Sequence, residues 1–154
     1  MSTQELEALR AEKARIEAEI AEVEMALQTQ PRTHSLPALD IVLQHGEHYA
    51  GLVLDAQTGA PSHHLILLPG EAEDVTWQQA KDWAAGQRGE LPTRQEQALL
   101  YANLKREFSA TWYWSVGQYS DSYAWPQYFD GGTQDFLSDK SYEARARAVR
   151  RFDA

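Results

Sequence analysis

The sequence predicts an α+β domain preceded by a long N-terminal helix. Residues 3–28 contain no Gly or Pro and carry apolar residues at heptad spacing. From Asp40 onward the period shortens to that of strands, with a hairpin pattern between Tyr49 and Leu68. Two capped helical segments then lead into an aromatic, Gly-marked region of alternating residues.

The N-terminal helix comes first. Leu6, Leu9, Ile16, Ile20, Val23 and Leu27 form a seam in which Lys13 fills the one gap. Leu6, Lys13, Ile20 and Leu27 take the a positions, and Leu9, Ile16 and Val23 the d positions. A helix packed on its own domain would show a broader stripe, so residues 1–28 read as a coiled-coil, oligomerisation helix. Ile16 and Val23 at d, with Leu6 and Leu27 at a, lean toward three or four strands, with a trimer favoured. Glu12 and Glu19 would meet Glu17 and Glu24 of a parallel neighbour, so an antiparallel or heteromeric seam stays open.

Residues 29–39 read as a linker, with Pro31 and Pro37 excluding regular helix. Residues 40–154 form the domain. Tyr49–Asp55 and His64–Leu68 are strands around a turn marked by Gly59 and Pro61. Thr76 caps a helix over Trp77–Ala85 that Gly86 stops. Thr93 and Glu96 form a capping box for a helix to about Glu107, with Ala98, Leu99, Leu100, Tyr101 and Leu104 as its core face. Short strands follow around Trp112–Ser115, Tyr123–Phe129 and Arg145–Phe152. Arg145, Arg147, Arg150 and Arg151 are interleaved with Ala144, Ala146 and Ala148. That pattern suggests an edge strand whose arginines face acidic neighbours or solvent.

Composition limits the chemistry. The 154 residues include no Cys, which excludes disulfides, thiolate nucleophiles and Cys-ligated zinc. A formal net charge of −9 argues against nucleic acid as a partner. No run approaches the roughly 20 apolar residues of a membrane span. The Met-Ser-Thr-Gln-Glu start has neither a basic nor an apolar stretch, so no signal peptide is expected. There is no Gly-x-Ser-x-Gly elbow and no Gly-rich phosphate loop. His45, His48, His63 and His64 lack a spaced third ligand, so no metal, cofactor or catalytic residue is expected. Asp121, Asp130, Asp135 and Asp139 are turn formers that leave loop calcium open.

The best functional lead is aromatic: Trp112, Tyr113, Trp114, Tyr119, Tyr123, Trp125, Tyr128, Phe129 and Phe136 lie in one short span. Alternation assigns Trp114, Trp125 and Phe129 to the core. Tyr119, Tyr123 and Tyr128 are set among Asp121, Ser122, Gln127 and Asp130, and these seven residues together have the composition of a partner-binding surface.

Leu91-Pro-Thr-Arg94, Tyr113-Trp-Ser115, Ala124-Trp125 with Phe129, Asp130-Gly-Gly132 and Arg145-Ala-Arg-Ala-Val-Arg150 follow in a fixed order. This set resembles the family named for the C-terminal domain of a Legionella collagen-like adhesin, a former domain of unknown function. The resemblance spans residues 45–152 and is nearest to small phage and prophage members. It implies a C-type-lectin-like fold, with two helices flanking a small antiparallel sheet. Relatives of that fold include the variable proteins of diversity-generating retroelements, whose variable surface would fall on Val116–Phe136 here. The Glu-Pro-Asn and Gln-Pro-Asp triplets of calcium-dependent sugar binding are absent. The expectation is a non-enzymatic, homo-oligomeric binding protein for a protein or glycan, acting in the host cytoplasm or in the virion. As the former it would block a host protein; as the latter it would be a tail-fibre tip or receptor binder. A metal-dependent hydrolase is a distant alternative.

Overall fold

The computed structural model describes residues 1–36 and 38–154; Pro37, read above as a linker residue, lies outside the described residues. The chain divides into two units, Met1–Ser35 and Leu36–Ala154.

The first unit is a single helix, α1 (Thr3–Thr29). Ser2 accepts from the Glu5 amide at 3.2 Å, and Glu5 accepts from the Ser2 amide at 2.6 Å, a complete capping box. Pairs such as Glu12–Arg15 (2.6 Å) and Lys13–Glu17 (3.7 Å) decorate its surface. No residue of α1 is buried, and even Leu6, the most covered of the apolar stripe, is 39% exposed.

The second unit is mixed α+β. Its elements are β1 (His48–Leu54), β2 (Pro61–Leu67), β3 (Ala72–Val75), α2 (Trp77–Gly86), α3 (Arg94–Leu104), β4 (Trp112–Gln118), β5 (Tyr123–Tyr128), β6 (Ser138–Asp139), β7 (Ala144–Ala146) and β8 (Val149–Asp153). They form two sheets, ordered β1-β2-β8 and β3-β7-β4-β5-β6. The hairpin read from sequence is β1-β2, antiparallel, with Leu52 opposite His64.

Several details differ from the sequence reading. There are two sheets instead of one, and β4 pairs with β7 in parallel, Tyr113 opposite Arg145. The Arg- and Ala-rich segment is split into two strands. β7 lies inside the five-stranded sheet, and only β8 is an edge. Ala144 and Ala146 explain this: small side chains let Ala80 and Ala84 of α2 pack close against them, all four being buried. Strand β3 had no sequence signal because it is only four residues long and pairs at two points around Asp74, whose φ is +50°. The helix opened by Thr93 ends at Leu104, and a 3-10 turn covers Lys105–Glu107. Its buried face is Glu96, Gln97, Leu100 and Leu104, whereas Ala98 is exposed and Leu99 and Tyr101 are half-buried.

Strand β4 supplies both cores, because consecutive residues on a strand point to opposite faces. Trp114 packs with Trp77, Ala80, Ala84 and Ala146 on the α2 side. Tyr113 packs with Leu65, Leu100, Leu104 and Phe129 on the α3 side. The two indole N–H groups at this core find acceptors, as burial demands. Trp114 Nε1 donates to Val75 O and Trp77 Nε1 to Ser115 O, both at 2.9 Å. Gly89 joins α2 to α3 where a Cβ would lie 2.6 Å from Leu68 Cδ1 and 2.7 Å from Val149 O, so only glycine lets this connection lie against β8.

Glu96 joins α3 to the three-stranded sheet. Its side chain is fully buried. Oε1 accepts from the Thr93 amide (2.8 Å) and Arg151 Nη2 (2.8 Å). Oε2 accepts from Arg151 Nε (2.7 Å) and faces His63 Nε2 at 2.7 Å. Burial alone would raise its pKa, but the bonds from Arg151, Thr93 and His63 outweigh burial and hold it at about 2, against an ordinary 4.5.

A folded pKa below the unfolded one gives stability that is complete above the unfolded pKa and lost as pH falls toward the folded one. Glu96 should therefore contribute about 3 kcal/mol above pH 4.5, draining away toward pH about 2. Denaturant titrations across this range should show the loss in the parent and a flatter profile in Glu96→Gln. A parent and variant with parallel profiles would refute this role for Glu96.

Candidate functional site

Strands β4 and β5 build the candidate site, and Pro126 shapes it. Strand β6 pairs with β5 only at Tyr123 and Ala124. Two residues further on, Pro126 has no N–H with which to extend a ladder. The segment before β6 therefore leaves the sheet, and Phe136 lies on Trp112, their ring centroids 5.2 Å apart. Tyr128, directly across from Trp112, adds a third ring at 5.0 Å. The result is a cleft of about 320 Å³ lined by Trp112, Phe136, Leu137, Ser138, Asp139 and Tyr142. Phe136 and Tyr142 are each about half exposed, at 52% and 50%.

The loop that forms this wall is held firmly. Gln134 Nε2 donates to Gln127 Oε1 (2.7 Å) and to Arg94 O (2.6 Å), and Arg94 Nη2 donates back to Gln134 O at 3.2 Å. The Arg94 guanidinium stacks on Trp125 at 4.0 Å. Gly132, at φ +79°, lies where a Cβ would come within 2.9 Å of the Tyr101 ring. The Leu-Pro-Thr-Arg motif thus has a structural use: Thr93 caps α3 and Arg94 latches the loop.

Beside the cleft lies the β4-β5 turn. Tyr119 (64% exposed), Asp121, Ser122 and Tyr123 (42% exposed) gather here. The Tyr119 amide donates to Tyr123 O at 2.9 Å, and the Ser120 hydroxyl accepts from the Ser122 and Tyr123 amides. Lys140 joins the turn to the cleft wall. Its amide donates to Ser122 O (2.9 Å), and its Nζ donates to Asp121 O (3.0 Å) and Gln118 Oε1 (2.8 Å). Asp139 Oδ1 accepts from the Ser141 hydroxyl (2.6 Å) and amide (2.8 Å), which hold this carboxyl below its ordinary range.

Six of the seven residues read as one surface reach the surface, in two places, and the seventh, Gln127, does not. Tyr119, Asp121, Ser122 and Tyr123 share the turn. Tyr128 and Asp130 lie at the other end of β5, roughly 17 Å away at about 3.3 Å per residue. Gln127 is 1% exposed and cannot meet a partner; its amide is spent on Gln134. Trp114 and Phe129 are buried as expected, but Trp125 is only half-buried, flanked by Arg94 and by Tyr119 at 5.9 Å. Leu137, Ser138, Asp139 and Tyr142 were missed as lining residues because the pairing of Tyr123 with Asp139 brings them in from beyond the aromatic span. Trp112 and Phe136 had a signal in that span but no position.

Other features have structural explanations. Arg145 pairs with Glu71 (2.5 Å) and Glu73 (3.0 Å), Arg150 with Glu47 (2.6 Å), and Arg151 with Glu90 and Glu96. Arg147 is buried, donating to Glu107 O and Leu68 O. His48 Nε2 lies 3.5 Å from Glu107, and His64 Nδ1 lies 2.8 Å from the Tyr49 hydroxyl. A second apolar cavity, about 260 Å³, is lined by Leu36, Leu39, Tyr49, Leu52 and Pro61 beside Asp153 and Ala154. Among the described residues no group of three or more His, Asp or Glu could hold a metal, and no helix is long and apolar enough to cross a membrane.

The reassignment of Gln127 has a direct test. Gln127→Ala should cost about 1–3 kcal/mol, because a buried hydrogen bond and its packing are lost. Tyr119→Ala should change stability by less than about 0.5 kcal/mol, as exposed positions do. Denaturant midpoints of the two variants decide it, and equal midpoints would contradict the burial difference.

No protein-family model matches the chain, nor does any curated protein, so its fold and surface chemistry carry the functional reading.

Proposed function

We propose that the chain is a non-enzymatic binding module of phage or prophage type, whose domain is a C-type-lectin-like scaffold presenting an aromatic surface to a protein partner. The observation that carries this reading is the cleft of Trp112, Phe136 and Tyr142 beside the exposed tyrosines of the β4-β5 turn. Aromatic residues give large contact area at small entropy cost, and a rigid scaffold lowers the cost of binding further. The latch of Arg94, Gln127 and Gln134 supplies that rigidity. The scaffold assignment draws on the ordered motifs, on helices packed against both faces of β4, and on a unit whose first residues and C-terminal residues line one cavity.

In this reading α1 assembles copies through Leu6, Leu9, Ile16, Ile20, Val23 and Leu27, a seam that nothing in its own unit covers. A trimer is the favoured state. Several copies of a weak site bind together through effective concentration. Such display also suits a virion component, so detection in purified particles separates that role from a blocker of a host protein in infected cells.

Two outcomes are expected. Sedimentation of the parent should give an oligomer, and Ile16→Glu with Ile20→Glu should give a folded monomeric domain. A monomeric parent would remove the assembly role of α1. A pull-down from host lysate should capture a protein that Phe136→Ala with Tyr142→Ala loses, while stability is retained. Capture unaffected by those changes, and by Tyr119→Ala with Tyr123→Ala, would overturn the surface reading.

A further inference from the structure

We propose that the aromatic cleft receives a lysine- or arginine-bearing segment of its protein partner; this rests on the binding-module reading and adds the partner's chemistry. Two independent features of the domain carry it.

The first is how this domain treats its other rings. Arg94 lies over Trp125 at 4.0 Å, and Lys81 and Lys140 each lie over Trp77 at 4.4 Å. Lys105 lies over Tyr101 at 5.2 Å, and Arg147 over Phe108 at 5.3 Å. Trp77, Tyr101, Phe108 and Trp125 are thus matched with the chain's own cations. Among the described residues, Trp112, Tyr128, Phe136 and Tyr142 have no such cation. All four carry the same negative quadrupole, and Trp112, Phe136 and Tyr142 line an open cleft.

The second is charge. The scaffold glutamates Glu47, Glu71, Glu73, Glu90, Glu96 and Glu107 all form ion pairs with Arg or His. Around the cleft, Asp121, Asp135, Asp139 and Glu143 are exposed and form none among the described residues. Lys140 is the only Lys or Arg between Phe108 and Glu143. Its ammonium is engaged with Gln118, Asp121 and the Trp77 ring. The cleft therefore combines electron-rich rings with a rim of uncompensated negative charge. A cationic side chain satisfies both: the ring face attracts it and the rim steers it in. An acidic segment or a phosphate backbone would meet repulsion at the same place.

The test uses the full chain and a fluorescent peptide alternating glycine with arginine and lysine. Matched peptides carrying glutamine or glutamate serve as comparisons. The basic peptide should bind, shift the Trp112 indole N–H resonance, and weaken as salt rises. Phe136→Ala with Tyr142→Ala should weaken it by roughly tenfold, the scale of lost cation–ring contacts. Asp135→Asn, Asp139→Asn and Glu143→Gln together should weaken it and flatten the salt dependence. Glu12, Glu17, Glu19 and Glu24 changed to Gln should leave it unaltered, showing that the acidic helix is not the site. If the glutamine peptide binds as tightly and shifts Trp112 equally, the cationic partner is overturned while the cleft stands as a recognition surface. If the basic peptide binds without shifting Trp112, or is lost only on neutralising α1, the inference fails outright.

Discussion

The second unit depends on one buried carboxylate. Glu96 sits at the third position of α3, where a capping glutamate normally reaches back to its own helix and little else. Here the same side chain also takes the Arg151 fork and His63 from the adjoining strands. Both of its oxygens are occupied, so a charge that would be costly in the interior is compensated by hydrogen bonds from each direction. The consequence is geometric: the start of α3 is fixed on β2 and β8 at once. With that end fixed, Gln97 is directed into the interior, where it donates to Tyr113 O at 3.1 Å, and Leu100 and Leu104 face the Tyr113 core. The same helix start places Arg94, which holds the loop that walls the aromatic cleft. The ion-pair anchor and the wall of the aromatic cleft are therefore both held from the first turn of one helix.

Legibility in the sequence followed the range of the interactions. The caps at Thr76 and Thr93 are complete within four residues, and the β1-β2 hairpin within the twenty residues from His48 to Leu67, so local spacing was enough to place them. The parallel contact between β4 and β7 joins Tyr113 to Arg145, and nothing near either residue announces it. Burial of Glu96 was invisible for the same reason: its partners His63 and Arg151 lie 33 and 55 positions away. Hydropathy gives a charged residue a surface place, and only its donors reverse that. Gln127 is the same lesson at the site. Its polarity argued for exposure, yet Gln134 satisfies it inside. Tyr142 failed to register because a lone tyrosine after a turn has no pattern, and the short strand β6 alone returns it to Trp112's neighbourhood.

A stable domain tends to saturate its polar and aromatic groups, and a recognition surface must leave some unsaturated. Saturated and unsaturated groups lie in different places in this unit. The glutamates near the arginines of β7 and β8 are compensated, and Trp77, Tyr101, Phe108 and Trp125 have cations of their own. At the cleft of Trp112, Phe136 and Tyr142 no such cation is found among the described residues. Pro126 interrupts strand pairing there, the chain leaves the sheet, and Phe136 comes to rest on Trp112 instead of inside a core. A segment that stayed in the sheet beside β5 would not have carried Phe136 onto Trp112, and the cleft would lack that wall. The break in the ladder is thus the step that converts a packed scaffold into an open aromatic surface, and the latch of Gln127, Gln134 and Arg94 keeps that opening from collapsing. An exposed aromatic surface held open by buried hydrogen bonds is costly for a domain that only has to fold; it is accounted for if a partner covers it.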